Sequence, residues 1–352
     1  MAITYHAGRR IQGTTADVAP IQGGWTELGR QTLTVTSSTL TVSNLPDKKY
    51  YMVLESILGS GGEIAADIRF NGDSGTNYPI RRSNNGEADW TRTTTYDYMY
   101  SGWGGTDSNR FLVGYVVNEP TKEKLWQHHQ VINEGRNTSA SDVPSRNEVV
   151  SKWTNTSAAI NEIQVRAGGA SDYIAGSELV VLGWDESDTH TDNFWEELAS
   201  VELGSAGDTL DSGTITAKKY LWFQVYTEGA NTETQFKFNS TTGQEYASRR
   251  SGDGGSDSEF PNEYQSKINA TGGASHTACL MNGFIINNSA NEKLVITHQV
   301  AVEQTGSATA PRRSEGVTKW SNASDSITSI QIINKSTGNF GTNSILKVWG
   351  SN

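Results

Sequence analysis

The sequence predicts an all-β protein: two tandem, homologous β-sandwich domains of jelly-roll-like form, preceded by an extended N-terminal arm. Three observations predict it. Blocks of residues recur at offsets of 167 to 170 positions along the 352-residue chain. Apolar and polar residues alternate at period two within both halves, the signature of half-buried strands. Clusters rich in Gly and Asn separate the alternating runs, and these residues supply the positive φ that tight turns need.

The recurrence sets the domains. Trp25-Thr26-Glu27-Leu28 returns as Trp195-Glu196-Glu197-Leu198, Lys48-Lys49-Tyr50 as Lys218-Lys219-Tyr220, and Phe70-Asn71 as Phe238-Asn239. Arg81-Arg82-Ser83 returns as Arg249-Arg250-Ser251, and His129-Gln130-Val131 as His298-Gln299-Val300. The longest block is Lys152-Trp153-x-Asn155-x-Ser157-x-x-Ile160-x-x-Ile163-Gln164, matched by Lys319-Trp320-x-Asn322-x-Ser324-x-x-Ile327-x-x-Ile330-Gln331. So many blocks in register mark a duplicated domain. Residues 1–24 form the arm, 25–184 the first repeat, 185–194 an acidic polar linker, and 195–352 the second repeat. Each repeat is long enough to own a hydrophobic core.

In chain order, the first repeat reads as strands at Leu33–Thr36, Tyr51–Leu54, Ile64–Phe70, Phe111–Val117, Leu125–Ile132, Ile160–Val165 and Glu178–Leu182. The second reads as strands at Tyr220–Tyr226, Thr234–Phe238, Ala278–Ile286, Lys293–Val302, Ile327–Ile333 and Ser344–Trp349. Turns are expected at Gly59–Gly62, Asn71–Asp73, Asn84–Gly86 and Gly252–Gly255. About eight to ten strands per repeat suit a two-sheet sandwich, a jelly roll first and a concanavalin-like sandwich second.

Composition removes several classes. The formal charge of −11 argues against wrapping nucleic acid, which takes a basic surface. A single cysteine excludes a disulfide scaffold or a Cys-rich zinc site. No apolar run reaches the ~18–20 residues of a membrane helix, so no membrane partner is expected. Basic residues at the N-terminus are followed by no apolar stretch, so no secretory signal is expected there. The seven Asn-x-Ser/Thr sequons reflect an Asn-, Ser- and Thr-rich chain.

The Lys-Trp-x-Asn-x-Ser-x-x-Ile-x-x-Ile-Gln block, the closing Ser344-x-Leu346-x-Val348-x-Gly350 and the opening Ala2-Ile3-Thr4-Tyr5-His6-Ala7-Gly8-Arg9-Arg10-Ile11-Gln12-Gly13 resemble segments of β-sandwich (jelly-roll) structural proteins of tailed, often marine, bacteriophages. About a quarter of the chain carries the resemblance. The first repeat departs from it by ending Gly183-Trp184 where the second has Trp349-Gly350. The resemblance implies a virion component of the capsid decoration, vertex or tail-fibre type, and it supplies no catalytic residue.

Candidate sites follow from residue chemistry. In the arm, Tyr5, His6, Arg9, Arg10 and Ile11 make a basic, weakly apolar strip on an acidic protein, fit to clamp onto a neighbour. Trp90, Tyr96, Tyr98, Tyr100 and Trp103 form an aromatic segment that the second repeat lacks, with the three tyrosines expected on one strand face, and such rings stack on sugars or fill partner pockets. His128 and His129 should point to opposite faces of a strand, leaving His129 and His298 as repeated structural histidines, one per domain. No metal site is expected, and polar loops at 185–188 and 253–259 offer calcium only a weak case. Glu196, Glu197 and Asp89 do not make the carboxylate pair that glycoside hydrolysis takes. Cys279 reads as a buried thiol. No cofactor is expected. The resulting expectation is a non-enzymatic capsid decoration, cement or vertex protein, assembled in the host cytoplasm. Its partners would be the major capsid protein or another virion protein, and copies of itself, most simply in a trimer. The alternative is a tail-fibre or receptor-binding module that grips host glycans.

Overall fold

The computed structural model describes residues 24–352 except 60, 107, 137, 169–170, 189–191, 269–275 and 305. The arm residues Tyr5, His6, Arg9, Arg10 and Ile11 lie outside the described residues.

The first repeat contains β1 (Thr26–Thr32), β2 (Thr39–Ser43), β3 (Tyr50–Ile57), β4 (Glu63–Phe70), β5 (Ile80–Asn84), β6 (Trp90–Arg92), β7 (Met99–Thr106), β8 (Asn109–Val117), β9 (Lys124–Asn133), β10 (Ser145–Trp153), β11 (Glu162–Ala167) and β12 (Glu178–Trp184). The second contains β13 (Glu196–Glu202), β14 (Thr209–Asp211), β15 (Tyr220–Thr232), β16 (Thr234–Phe238), β17 (Tyr246–Gly252), β18 (Ser258–Glu263), β19 (His276–Ile286), β20 (Lys293–Val302), β21 (Arg312–Trp320), β22 (Ile330–Asn334) and β23 (Ile345–Ser351). The protein is all-β, and the strands pair antiparallel.

Each repeat pairs a large sheet with a small one. The first has the order β1-β12-β3-β8-β9-β10-β5-β6 over β2-β11-β4-β7. The second repeats it as β13-β23-β15-β19-β20-β21-β17-β18 over β14-β22-β16, so among the described residues β7 has no counterpart. Leu40, Val42, Ile68, Phe70 and Ile163 of the small sheet meet Tyr51, Val53, Leu112, Trp126 and Val181 of the large one in the first core. Leu210, Phe236, Phe238 and Ile330 meet Leu221, Phe223, Met281 and Val348 in the second.

The recurrent Lys-Trp-Asn-Ser block is a folding device. The Trp153 indole donates to Asp73 and the Trp320 indole to Glu245, both at 2.7 Å. Asn155 accepts from the backbone N–H groups of Ser157 and Ala158, as Asn322 does from Ser324 and Asp325, which fixes the following loop. Ile160 and Ile327 are then driven into the cores. Gly114 is required by packing: a Cβ there would sit 2.4 Å from the Trp126 ring, and at its counterpart Gly283 2.3 Å from Phe223.

Twelve and eleven strands stand where eight to ten per repeat were expected. The additional ones, such as β5, β6 and β18, are short or polar and lie towards sheet edges, where alternation is weak. Leu33–Thr36 is not a strand: it turns the chain from β1 to β2. The expected turns hold left-handed residues, at Asn71 and Gly72 (φ 53° and 63°), Asn85 and Gly86, and Asp253 and Gly254.

The central strands are buried on both faces. In β3, Tyr51 and Val53 point into the sandwich while Met52 and Leu54 join a third cluster outside it. That cluster unites the two large sheets. Met52, Leu54, Phe111, Val113, Val131, Val180 and Leu182 of the first repeat pack with Phe194, Trp195, Tyr220, Phe284, Ile286, Leu294, Ile296 and Val317 of the second. Around this apolar contact, Arg146 grips Asp257 through two nitrogens (3.2 and 2.7 Å), both side chains being buried. The Tyr220 hydroxyl donates to Glu178 at 2.7 Å, and Asn109 and Asn133 both donate to Glu292.

Candidate functional site

Three places on this frame have the chemistry of a site. The first is an aromatic cleft at the β6–β7 connection. The cleft, of about 320 Å³, is lined by Trp90, Tyr96, Tyr98 and Tyr100 with Asp67, Arg82 and Arg92. Only Tyr100 lies in a strand; Tyr96 and Tyr98 sit in the bend before β7, so the three tyrosines do not share one strand face. Threonines 93–95 break the strand, and the loop folds the rings together instead. Tyr96 lies 4.9 Å from Tyr98 and 6.1 Å from Trp90, and stacks with Tyr100 at 6.5 Å. All four rings are half-buried. Trp103 follows in β7, its backbone paired with Ala65.

Three arginines hold the rings. Arg82 lies over Trp90 and Tyr100 (4.5 and 4.6 Å), Arg92 over Trp90 (4.7 Å), and Arg166 over Tyr98 (5.5 Å). Asp67 at the cleft floor is buried, and desolvation pushes its carboxyl up to about 7 against the pull of Arg166, Arg110 and Arg69. Deeper, burial pushes Glu55 up to about 8, opposed by Arg110. Strand pairing equates Glu55, Arg110, Asp67 and Arg166 with Val225, Cys279, Gln235 and Ile333 of the second repeat, so the charged group belongs to the first alone. Cys279 is buried there, its thiol pushed up to about 11 by desolvation.

The second place is the outer face of the first large sheet. A groove of about 930 Å³ runs over Trp25, Tyr50, Tyr115, Leu125, Val150 and Trp184, with Arg81, Arg92 and Lys152 also on its lining. Tyr50 stacks on Trp184 at 5.1 Å, and Trp25 leans on Tyr115 at 6.3 Å. Leu125 is 60% and Val150 51% exposed, whereas their counterparts Leu294 and Val317, closed against the first repeat, are 2% and 1% exposed. Nothing in the residues themselves distinguishes the two faces, because both are written in nearly the same ones.

The third place is where the repeats touch. His129 and His298, counterparts in β9 and β20, meet ring to ring with Nδ1 and Nε2 3.0 Å apart. One stands in each repeat, as expected, and the packing of the repeats brings the two together. Glu148 Oε1 lies 3.6 Å from His129 Nδ1. His128 points the other way, into the core, where it accepts the Trp126 indole N–H at 2.7 Å.

The remaining carboxylate candidates are held in ion pairs. Glu196 and Glu197 pair with Lys218 and Lys347, and Asp89 with Arg81. In the 253–259 loop, Asp253 pairs with Arg312, Asp257 with Arg146 and Glu259 with Arg249. Glu186 and Asp188 pair with Lys49 and Lys48.

No protein-family model matches the chain, and no curated protein matches it. Among solved structures, it is similar to the mouse laminin alpha1 chain, domains LG4-5, at 10% identity and a TM-score of 0.17, over 97% of this chain and 93% of that one. A second is the LG1-3 region of the laminin alpha2 chain, at 8% identity and a TM-score of 0.17, over 89% and 64%. Likenesses this slight carry no functional argument, so the reading of function rests on the residues.

Proposed function

We propose that the chain is a non-enzymatic structural protein of a virus particle, of the capsid decoration, cement or vertex type, that associates with copies of itself. The open face of the first repeat is the observation that supports this. Its counterpart in the second repeat is sealed by protein, so the same surface chemistry already serves as a protein contact within the chain. The occupant we assign to the open face is a second copy of this chain, contributing the second repeat's exposed Tyr226, Leu280 and Val300. In strand register, Leu280 and Val300 correspond to Phe111 and Val131, part of the surface with which the first repeat covers the second. One patch meeting a different patch is a heterologous contact, which closes into a ring such as a trimer when the rotation allows. The basic arm would supply the second contact, to the major capsid protein or another virion protein.

Co-sedimentation with empty shells of the virus that encodes the chain tests this. The full chain should pellet with shells as an oligomer, and a chain lacking residues 1–24 should remain oligomeric but stay in the supernatant. A monomeric chain that never pellets would overturn the reading.

A second reading is favoured by the cleft. Trp90, Tyr96, Tyr98 and Tyr100 present half-open rings beside arginines, as a host-glycan contact on a fibre or receptor-binding module would. Binding on a glycan array that disappears in Tyr96→Ala would place the chain there.

A further inference from the structure

We propose that His129, Glu148 and His298 form a binding site for a divalent transition-metal ion of the zinc class, and that the ion ties the two repeats together. The three residues come from β9, β10 and β20, so two ligands belong to the first repeat and one to the second. His129 Nδ1, His298 Nε2 and a Glu148 carboxylate oxygen all lie within 4.8 Å of one another. The two nearer separations are 3.0 Å and 3.6 Å. Tetrahedral coordination with metal–ligand bonds of about 2.0–2.1 Å places neighbouring ligand atoms about 3.3 Å apart. The observed spacings straddle that value, so small side-chain rotations would seat the ion.

The surroundings suit a cation. The 3.0 Å contact between the two ring nitrogens means that one of them already presents a lone pair to its neighbour, the form in which imidazole binds a metal. Glu148 supplies a negative charge, and its Arg146 neighbour is itself held by Asp257. Glu315, the counterpart of Glu148, adds a further carboxylate and pairs with Arg313. The five groups sum to one net negative charge before any ion binds. A hollow of about 270 Å³ bordered by Arg81, Ser83, Asp89 and Gln127 reaches His129 and Glu148, giving the ion a way in and room for water as a fourth ligand. Two imidazoles and a carboxylate select zinc-class ions over calcium or magnesium, which take oxygen ligands.

Sequence reading missed the site because its two histidines are counterparts 169 positions apart, and counterparts meet only where the duplicated domains face each other.

The test uses the full chain, stripped with chelator and titrated with Zn²⁺ by calorimetry and with Co²⁺ by visible absorption. One ion per chain, intense tetrahedral Co²⁺ bands and a higher Tm with Zn²⁺ are expected. His298→Ala should weaken binding at least about 100-fold, while Glu148→Gln, which keeps the histidine pair, should weaken it about 10-fold or more. His190→Ala, in the linker sequence, should bind as the parent does, which separates this site from the other histidines of the chain. Retained strand content by circular dichroism shows that the variants fold. Stoichiometric binding that survives His298→Ala, or no uptake of either ion by the folded parent, would overturn the proposal.

Discussion

The two repeats share a frame and differ in what they do with it. Both keep the same strand order in the large sheet, the same Trp-anchored loop and the same glycine facing an aromatic ring. The second repeat closes the Leu294, Ile296 and Val317 face of its large sheet against its neighbour and has Val225, Gln235 and Cys279 where the first has Glu55, Asp67 and Arg110. The first leaves the corresponding face open and buries Glu55, Asp67 and Arg110 beneath the aromatic cleft. Duplication supplied one stable sandwich twice. Surface chemistry and buried charge differ between the copies, and in the first they lie where they can meet something outside the chain.

The comparison can be broken first at the contact between repeats. Asp257→Ala strips the buried Arg146 of its two-pronged partner and should destabilise the protein by about 3–5 kcal/mol in chemical denaturation. The next effect is inside the first repeat. Glu55→Val alone leaves the buried Arg110 without the carboxyl group beside it and should be clearly destabilising. Glu55→Val with Arg110→Cys installs the second repeat's residues and should recover most of that loss, because a buried charge pair replaced as a unit is often neutral or better. A double-mutant cycle read by denaturant midpoint checks this.

The same charges give a pH dependence of intermediate size. The folded-state values of Glu55, about 8, and Asp67, about 7, lie above the ordinary 4.5 and 3.8. Between those limits the native state holds more protons than the unfolded chain. The stability they contribute is complete in acid below about pH 4 and is lost as the pH rises towards 8. Thermal unfolding of the parent from pH 5 to 8 should show this fall, and Glu55→Gln should flatten its upper part. The smallest effect is expected at the cleft rim: Tyr96→Ala, on a half-exposed loop ring, should cost under about 1 kcal/mol of stability while abolishing any glycan signal.

Strand periodicity and internal repetition made the two sandwiches legible before any coordinates. Tyr51–Leu54, Phe111–Val117 and Lys293–Val302 all lie in strands because their alternation reports faces that are really buried. Polar edge strands such as β6 and β18 carry no such signal, and Leu33–Thr36 alternates without being a strand. The site was less legible. Trp90, Tyr96, Tyr98 and Tyr100 were identifiable as a group, but a bend rather than a strand assembles them, and the arginines and Asp67 that complete the cleft come from β4, β5, β6 and β11. Leu125 and Leu294 occupy equivalent places in equivalent patterns, yet one faces solvent and the other is sealed. Only the packing of one repeat on the other decides which.

The central claim is that the open face of the first repeat seats a second copy of the chain. Sedimentation velocity of the full chain beside Leu125→Glu/Val150→Glu tests it most directly. Both positions are exposed, so the folded monomer should tolerate the change. The account predicts a concentration-dependent oligomer for the parent and a stable, folded monomer for the variant. A parent that stays monomeric at high concentration, or a variant that assembles as the parent does, would contradict it.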